Sequence, residues 1–347
     1  MLSNTKGLNI MYLSVKNGEN RFIMKQDKPL VAIKCLVYNH EPYLRDCFEG
    51  FVMQQTNFPF VAIVHDDAST DGSAAIIREY EEKYPDIIKP IYETENQYSK
   101  HDGSLGRIIN AAVDATGAKY VAMCEGDDYW TDPMKLQKQV DFLEANPEYS
   151  MCFSNYSNTN AYGEEIIWPN QGKNIKRSYS GDIFAELLKG NYIQTCTILH
   201  KKHIIEDKNY KGRLDYELAL QCALKGKCAF MSEKMACYRI QPSSIIHKQF
   251  AKIKIVSNEI WYRYVYRYNS EKEHHRKCLG HFRILCVISY MVVSKFVAAK
   301  SIKNNDEIRQ ISLLLKQYPN VSICLPIGMG MIVYNKLRKL INKLINE

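Results

Sequence analysis

The first half of the chain alternates apolar, strand-like runs with amphipathic helical segments, and this alternation constrains the fold more than any other feature. The apolar runs have the length of typical strands, and they fall at residues 30–38, 60–64, 87–92, 120–124 and 150–153. Between them, apolar side chains recur at helical spacing in residues 43–54, 71–84, 105–115 and 134–145. We therefore expect an α/β fold with right-handed crossovers and a mainly parallel, Rossmann-like sheet flanked by helices.

Three of the predicted strands end in side chains that commonly bind ligands, namely Tyr38-Asn39, Asp66-Asp67 and Asp127-Asp128. In a parallel sheet these ends lie along one edge, which is where open α/β sheets bind their ligands. Adjacent carboxylates on a short turn are the ligands that Mg²⁺ and Mn²⁺ prefer, and such ions commonly bridge carboxylates to phosphates. A second interpretation stays open for the last pair, that of an acidic turn leading into a helix at Asp132-Pro133.

Composition and charge indicate an ordinary globular protein with an anionic partner. The chain has 347 residues, 46% of them hydrophobic, and a net charge of +8, which suits nucleotide phosphates, an acidic membrane surface or nucleic acid. Its 11 cysteines form no C-x-x-C pair, so we expect reduced thiols in a cytoplasmic protein. Neither a secretory signal nor an uncharged apolar run of the roughly 18 residues that span a membrane is apparent.

Three strings carry a specific resemblance through their order and spacing: LVAIKCLVYNHEPYL, HDDASTDGSAAIIREY and YVAMCEGDDYWTDPMKLQKQVDFLE. They resemble the inverting family 2 glycosyltransferases, which have the GT-A fold and use nucleotide sugars as donors. The resemblance covers residues 30–247 and is densest up to residue 154. It implies a GT-A domain, a nucleotide-sugar donor, with a UDP-sugar expected, and a Mn²⁺ or Mg²⁺ cofactor.

The resemblance also implies roles for the residues at the sheet edge. Asp67 would accept a hydrogen bond from uracil, Asp127 would contact the ribose, and Asp128 would ligate the metal that is bound to the diphosphate. An aromatic ring would pack on the base. Tyr38 carries that ring. Asn39 and Asp66 complete the predicted nucleotide-sugar site on these strands. For Asp66, a role in orienting the loop is an equal alternative.

An inverting transfer needs a base that takes the proton of the acceptor hydroxyl, and the metal-binding carboxylates are not available for this. Residues 213–217 (RLDYE) resemble the acidic pair that precedes the last catalytic helix of the family. Asp215 is therefore the predicted catalytic base, and Glu217 is the second candidate. The alternative for Asp215 is a purely structural role as the helix cap.

Tyr238-Arg239 resembles an element of the family in which a basic residue lies near the diphosphate, and this predicts that Arg239 binds the nucleotide sugar. Relatives often carry histidine where this chain has Gln241, so a third metal or phosphate ligand stays open, with Arg239 or His247 as a replacement. The pair His200 and His203 has no cysteine or carboxylate partners that would complete a zinc site.

We divide the chain into an N-terminal arm at 1–29, a GT-A glycosyltransferase domain at 30–248 and a mostly helical C-terminal extension at 249–347. The final segment NKLRKLINKLINE places apolar side chains on one helical face and basic ones on the rest, which is typical of membrane-surface helices. Packing on its own domain or on a partner subunit is the alternative. No nucleic-acid motif accompanies the aromatic-basic segment at 260–268, so nucleic acid is not an expected partner.

These features predict a metal-dependent, inverting glycosyltransferase that moves sugar to a saccharide or lipid-linked acceptor during cell-surface polysaccharide synthesis. It would act in the cytoplasm, with peripheral contact at the inner face of the membrane as a further expectation. A nucleotidyltransferase of similar fold also needs carboxylates and Mg²⁺, and it is the first alternative. A nucleotide-sugar or glycan-binding module without turnover is the second.

Overall fold

The computed structural model describes residues 11–16, 19–24, 28–167, 178–204, 214–241, 260–265, 267–268, 288, 291–292, 295 and 305–317. The chain divides into two compact units, Met1–Gly181 with Tyr192–Phe250, and Asp182–Asn191 with Ala251–Glu347. The predicted basic helix at the C-terminus lies outside the described residues, as do Arg213 and His247.

The first unit contains a hairpin and an eight-stranded mixed sheet. The hairpin pairs β1 (Met11–Lys16) with β2 (Glu19–Met24) in antiparallel register. The sheet strands are β3 (Val31–Val37), β4 (Phe60–Asp66), β5 (Ile88–Tyr92), β6 (Tyr120–Met123), β7 (Tyr129–Trp130), β8 (Tyr149–Thr159), β9 (Ile198–Lys201) and β10 (Lys227–Arg239). Their spatial order is β5-β4-β3-β6-β9-β8-β10-β7.

The sheet has a parallel half that the alternation in the sequence predicts and a mixed half that it does not. β3 pairs in parallel with β4 and β6, and β4 pairs in parallel with β5. β8 and β10 are also parallel, but β9 runs antiparallel between β6 and β8, and β7 runs antiparallel to β10. The α/β prediction is therefore confirmed, and the mixed half is an addition to it.

Helices cover both faces of the parallel half. They are α1 (Leu44–Val52), α2 (Ser73–Lys83), α3 (Ser104–Ala115) and α4 (Lys135–Ala145), and two further helices of this sequence region are α5 (Phe184–Leu188) and α6 (Leu214–Lys225). In β3, alternate residues from Val31 to Val37 pack in one core cluster with Phe48 and Phe51 of α1. The adjacent Lys34 instead hydrogen-bonds Asn110 of α3, so α1 and α3 serve different faces of β3.

The helix α1 lies unusually close to β7 because Gly50 has no side chain. A Cβ atom at position 50 would be 2.8 Å from the backbone nitrogen of Trp130 and 3.1 Å from its carbonyl oxygen. The Trp130 ring contacts Phe51 edge-on at 5.0 Å, and its Nε1 donates to the Cys196 carbonyl at 2.9 Å. Trp130 is thus a packing residue that fixes the chain just after the acidic turn.

The chain forms a 3₁₀ turn at Thr195–Thr197 directly before β9. The turn lies next to α4, since Gln139 of α4 donates to the Thr197 carbonyl. Eight cysteines in the described part of the chain are unpaired and buried, at positions 35, 47, 124, 152, 196, 222, 228 and 237. Burial raises the pKa of the Cys124 thiol to about 11 and that of Cys152 to about 12.

Within the second unit, α5 packs against residues from the C-terminal extension. The Phe184 ring stacks on Tyr268 at 5.2 Å, and Trp261 Nε1 donates to the Leu188 carbonyl at 3.1 Å. The helix α7 (Asn305–Gln317) joins them, because Tyr262 hydrogen-bonds Glu307 at 3.0 Å. Among the described residues, no helix combines the length and apolar character needed to cross a membrane.

Candidate active site

Three parallel strands deliver their carboxyl ends to one edge of the sheet. Asp66 at the end of β4 is in register with Val37 at the end of β3, and the Gly126 N–H after β6 donates to the Leu36 carbonyl at 2.9 Å. The predicted convergence of the three strand ends is therefore present. The loops and carboxylates of the candidate site follow these strand ends.

The loops after β3 and β4 are joined by several hydrogen bonds, which hold the two loops together at this part of the edge. Asn39 adopts a left-handed backbone conformation at φ 55°, and its side-chain oxygen accepts the Thr70 N–H at 2.8 Å. The Asn39 N–H in turn donates to the Ser69 hydroxyl at 3.0 Å, and Glu41 exchanges hydrogen bonds with the Asp71 side chain and the Gly72 N–H. The loop leaves the Tyr38 ring 46% exposed and therefore available to a ligand.

Asp66 and Asp67 are both buried and both bind backbone amides. Asp66 accepts the Ser69 N–H at 3.1 Å, which is the loop-orienting role that was one alternative for it. The two carboxylate oxygens of Asp67 accept the N–H groups of Gln97 at 2.6 Å and Tyr98 at 3.0 Å. Asp67 thus anchors the turn that presents Tyr98, whose ring is 41% exposed; its predicted contact with uracil stays a prediction.

The acidic turn, defined as residues 125–128, brings three carboxylates together. One ligand oxygen from each of Glu125, Asp127 and Asp128 lies within 4.8 Å of the others, which is the only such group of potential metal ligands in the described parts of the chain. Glu125 and Asp127 are half-buried and Asp128 is 1% exposed. Hard carboxylate oxygens at this spacing fit a divalent cation such as Mg²⁺ or Mn²⁺.

The negative charge of the acidic turn is poorly compensated by the protein itself. Burial, and after it the charges of Asp127 and Asp215, raise the pKa of Glu125 to about 8, while Lys34 opposes the shift. Burial and the charge of Asp127 also hold the pKa of Asp128 well above its usual range. A cation at the turn would remove this repulsion, so the electrostatics agree with the ligand set.

Asp128 has one satisfied oxygen and one that is open to a cation. Its Oδ1 accepts the backbone N–H of Arg239 at 2.8 Å. Its Oδ2 is buried, and the described residues give it no hydrogen-bond donor at ordinary distance. The thiol of Cys196 adds a weak contact to the carboxyl group. Buried carboxylate oxygens normally have a hydrogen-bond partner or bind a cation, and a metal ion would supply such a partner for Oδ2.

Arg239, a predicted ligand of the nucleotide sugar, is bound to the acidic turn and to α1. Its Nε donates to the Asp127 carbonyl at 2.9 Å, and its Nη2 donates to Asp46 at 2.8 Å. Gln241, where relatives carry histidine, donates to the Asp127 carboxylate at 3.0 Å. The amide of Gln241 thus contacts the acidic turn directly.

The candidate base, Asp215, lies in the first turn of α6, which begins at Leu214. Asp215 is half-buried, and its charge acts on Glu125, so the structure places it within electrostatic range of the acidic turn. Glu217, the second candidate, is only 1% exposed. An acceptor hydroxyl therefore has better access to Asp215 than to Glu217.

Two site residues escaped the sequence analysis. Glu125 precedes the recognised pair by two positions, and the signal for it was the third carboxylate in the same turn. Lys34 is a charged residue inside an otherwise apolar strand; it is 6% exposed and donates to Asn110 at 2.8 Å. Burial lowers the pKa of Lys34 to about 8, although Glu125 opposes this.

The histidine pair at positions 200 and 203 does not form a metal group with other described residues. His200 is buried, its Nδ1 lies 3.1 Å from the Lys201 carbonyl, and burial lowers its pKa to about 4. His203 is exposed. His200 is therefore a neutral packing residue at neutral pH.

Relatives of this chain include proteins of Mycobacterium tuberculosis and Bacillus subtilis. Protein Rv1520 of Mycobacterium tuberculosis, which is uncharacterised, is 33% identical over 228 residues, 63% of this chain and 61% of its own length. The chain thus spans about three fifths of that relative. TuaG of Bacillus subtilis, provisionally named a teichuronic acid biosynthesis glycosyltransferase, is 28% identical over 241 residues, 68% of this chain and 88% of TuaG.

The fold has a counterpart among solved structures. Residues 1–349 of S. aureus TarS, in complex with UDP-GlcNAc, match with a TM-score of 0.56 and 16% identity, over 90% of this chain and 86% of that chain. This likeness supports the GT-A fold. The family model for "Glycosyl transferase family 2" matches residues 35–207, which include the three strand ends and the acidic turn. This chain therefore belongs to glycosyl transferase family 2.

Proposed function

We propose that this protein is a metal-dependent, inverting glycosyltransferase that uses a nucleotide sugar, and specifically a UDP-sugar. The observation that carries the proposal is the acidic turn, where Glu125, Asp127 and Asp128 converge within 4.8 Å at the ligand-binding edge of the sheet. TarS, a protein of the same fold, has been solved with UDP-GlcNAc, which supports the choice of donor.

A Mn²⁺ or Mg²⁺ ion fits the acidic turn. The observations that favour it are the open, buried Oδ2 of Asp128 and the raised pKa values of Glu125 and Asp128. Asp128 is the proposed principal ligand, and Glu125 and Asp127 are within reach of the same ion. When bound, the metal would neutralise charge on the departing diphosphate.

The donor nucleotide would lie over the loops after β3 and β4. The exposed ring of Tyr38 would pack on the base, and Asp67 would orient it, either by direct hydrogen bonding or through the turn that carries Tyr98. Asn39 and Asp66 would hold the shape of this surface through their hydrogen bonds to Thr70 and Ser69. Asp127 is the proposed ribose contact.

The transfer itself would be a single displacement. The acceptor oxygen attacks the anomeric carbon while the bond from that carbon to the diphosphate oxygen breaks, which inverts the configuration. Asp215 would take the proton of the acceptor hydroxyl, since it is accessible and close to the acidic turn. Glu217 is the reserve candidate because it is buried.

The acceptor would be a saccharide or a lipid-linked saccharide in cell-surface polysaccharide synthesis. The provisional name of TuaG, a relative that is aligned over most of its length, supports this class of product. We place the protein in the cytoplasm, with peripheral contact to the inner face of the membrane through the basic helix that the sequence predicts at the C-terminus. The net charge of +8 supports an acidic membrane surface as a partner.

The direct test is a panel of UDP-, GDP- and other nucleotide sugars, incubated with Mn²⁺ or with a chelator and analysed for free nucleoside diphosphate and for the anomer formed. We expect slow, metal-dependent hydrolysis of a UDP-sugar and its transfer with inversion once an acceptor is found. Asp128→Asn should abolish turnover, and Asp141→Asn, an exposed carboxylate of α4, should retain it. Release of pyrophosphate would instead identify a nucleotidyltransferase, and tight binding without hydrolysis or transfer would identify a binding module.

A further inference from the structure

Arg239, at the end of β10, connects three parts of the edge through hydrogen bonds. Its backbone N–H donates to the Asp128 carboxylate at 2.8 Å, and its Nε donates to the Asp127 carbonyl at 2.9 Å. Its Nη2 donates to the carboxylate of Asp46 in α1, also at 2.8 Å. One residue therefore links the acidic turn to both β10 and α1.

The guanidinium plane is held by two aromatic rings as well. Its central carbon lies 4.8 Å from the centre of the Tyr43 ring and 5.2 Å from that of Tyr129. The side chain of Arg239 is only 2% exposed. Contact with both rings holds the guanidinium group in place, and a diphosphate has no access to it unless these contacts break.

The choice of hydrogen-bond partners is informative. A guanidinium that paired with the metal-binding carboxylates would compete with the cation for their oxygens, since such charge-assisted pairs are strong. Here the guanidinium bonds the backbone carbonyl of Asp127, not its carboxylate, and its ion pair is with Asp46. Asp46 thus holds the charge of Arg239 away from the carboxylate oxygens of Asp127 and Asp128.

We propose that Arg239 is a positioning residue that fixes the acidic turn for metal binding, that Asp46 keeps its guanidinium in place, and that Arg239 does not bind the donor diphosphate. This inference rests on the proposed function. It differs from the role that the sequence suggested for Arg239, since a phosphate ligand would need an accessible guanidinium. It also gives Asp46, a surface residue outside every recognised motif, a part in metal affinity.

Two measurements distinguish positioning from phosphate binding. Binding of Mn²⁺ alone is followed by electron paramagnetic resonance of the free ion, and binding of uridine and UDP is followed by calorimetry in the presence of a chelator. The variants are Arg239→Lys, which retains the charge but not the planar group, and Arg239→Gln, which removes the charge. Asp46→Ala and Asp46→Asn test the partner, and Glu79→Ala breaks the neighbouring exposed Arg45–Glu79 pair as a matched control.

We expect both Arg239 variants to weaken Mn²⁺ binding by about tenfold or more, the scale of a lost hydrogen bond to a charged group. Their affinities for uridine and for UDP in chelator should stay within about twofold of the wild type. Asp46→Ala should weaken Mn²⁺ binding by about fivefold, because the freed guanidinium can then pair with the metal carboxylates. The Mn²⁺ affinity of Asp46→Asn should lie between those of the wild type and Asp46→Ala. Glu79→Ala should match the wild type.

A phosphate ligand would give a different pattern. Arg239→Gln would then lose about tenfold in UDP affinity in chelator with uridine unaffected, while Arg239→Lys would retain most of it, and this result overturns the inference. Unchanged Mn²⁺ affinity in Arg239→Lys overturns it equally. If the Arg239 variants do not fold, an unchanged Mn²⁺ affinity in Asp46→Ala overturns the inference in their place. A wild-type protein that binds neither Mn²⁺ nor UDP would refute the proposed function itself.

Discussion

Lowering the pH should weaken the binding of Mn²⁺ to the acidic turn, because Glu125 has to lose a proton first. Burial and the charges of Asp127 and Asp215 raise the pKa of this carboxyl group to about 8, against an ordinary value of 4.5. A carboxyl group binds a metal only in its ionised form. The affinity for Mn²⁺ should therefore be highest above pH 8, where Glu125 is mostly ionised, and should fall as the pH drops below that value.

The size of the effect follows from proton competition at one site. With a pKa of about 8, Glu125 is half ionised at pH 8 and about 1% ionised at pH 6, so the apparent Kd should rise about 50-fold between them. This corresponds to about 2.3 kcal/mol of binding free energy. A carboxyl group with an ordinary pKa would change the Kd by only a few per cent. The raised pKa of Asp128 should add to the dependence.

The assay is a titration with Mn²⁺ between pH 6 and 9, with the free ion followed by electron paramagnetic resonance. Glu125→Gln removes the titrating group, so the dependence on pH should become shallower by the contribution of one proton. Glu148→Gln, an exposed residue just before β8, is the matched control and should keep the wild-type slope. The same Kd at pH 6 and pH 8 in the wild type would refute the reasoning.

Three further predictions concern single residues. Asp215→Asn should reduce transfer by a factor of about 10² to 10⁴ while melting temperature and donor binding stay near wild type, and a wild-type rate would exclude Asp215 as the base. Asp67→Ala should weaken uridine binding by about ten- to a hundredfold in calorimetry, because the proposed hydrogen bond to uracil is lost, and unchanged affinity would leave Asp67 a purely structural residue that binds the Gln97 and Tyr98 amides. Gly50→Ala should lower the free energy of unfolding by about 1 kcal/mol or more, measured by chemical denaturation, since its Cβ would lie 2.8 Å from the backbone of Trp130; wild-type stability would show that α1 can move away.

The parallel half of the sheet was predictable because local sequence carries most of its information. Apolar runs of strand length alternate with helical periodicity there, and the observed β3 and α1 differ from their predicted bounds by one or two residues at each end. The convergence of Asp66 with the acidic turn then follows from parallel pairing alone. Strand order in the mixed half was not predictable, since β7 has two residues and its pairing with β10 depends on contacts distant in sequence.

The partners of the site residues were harder to predict than their positions. Asp67 was recognised from its motif, but its hydrogen bonds to Gln97 and Tyr98 depend on how the loop after β5 folds back. Arg239 was recognised as basic and close to the site, but its pairing with Asp46 joins residues 193 positions apart. A motif identifies a side chain that can bind a ligand or transfer a proton. The residues that surround it in the folded protein decide which of these it does.

The reactivity of the buried cysteines can report where and how fast this protein opens locally. Burial raises the pKa of each of the Cys47, Cys124 and Cys196 thiols above its usual range, so alkylating reagents at neutral pH should react only when the surrounding structure opens. Cys47 and Cys124 lie 3.5 and 3.7 Å from the Glu125 carbonyl, and Cys222 and Cys228 lie in α6 and β10. Labelling rates resolved by mass spectrometry would therefore time the opening of the acidic turn separately from that of the α6–β10 region, without any introduced probe.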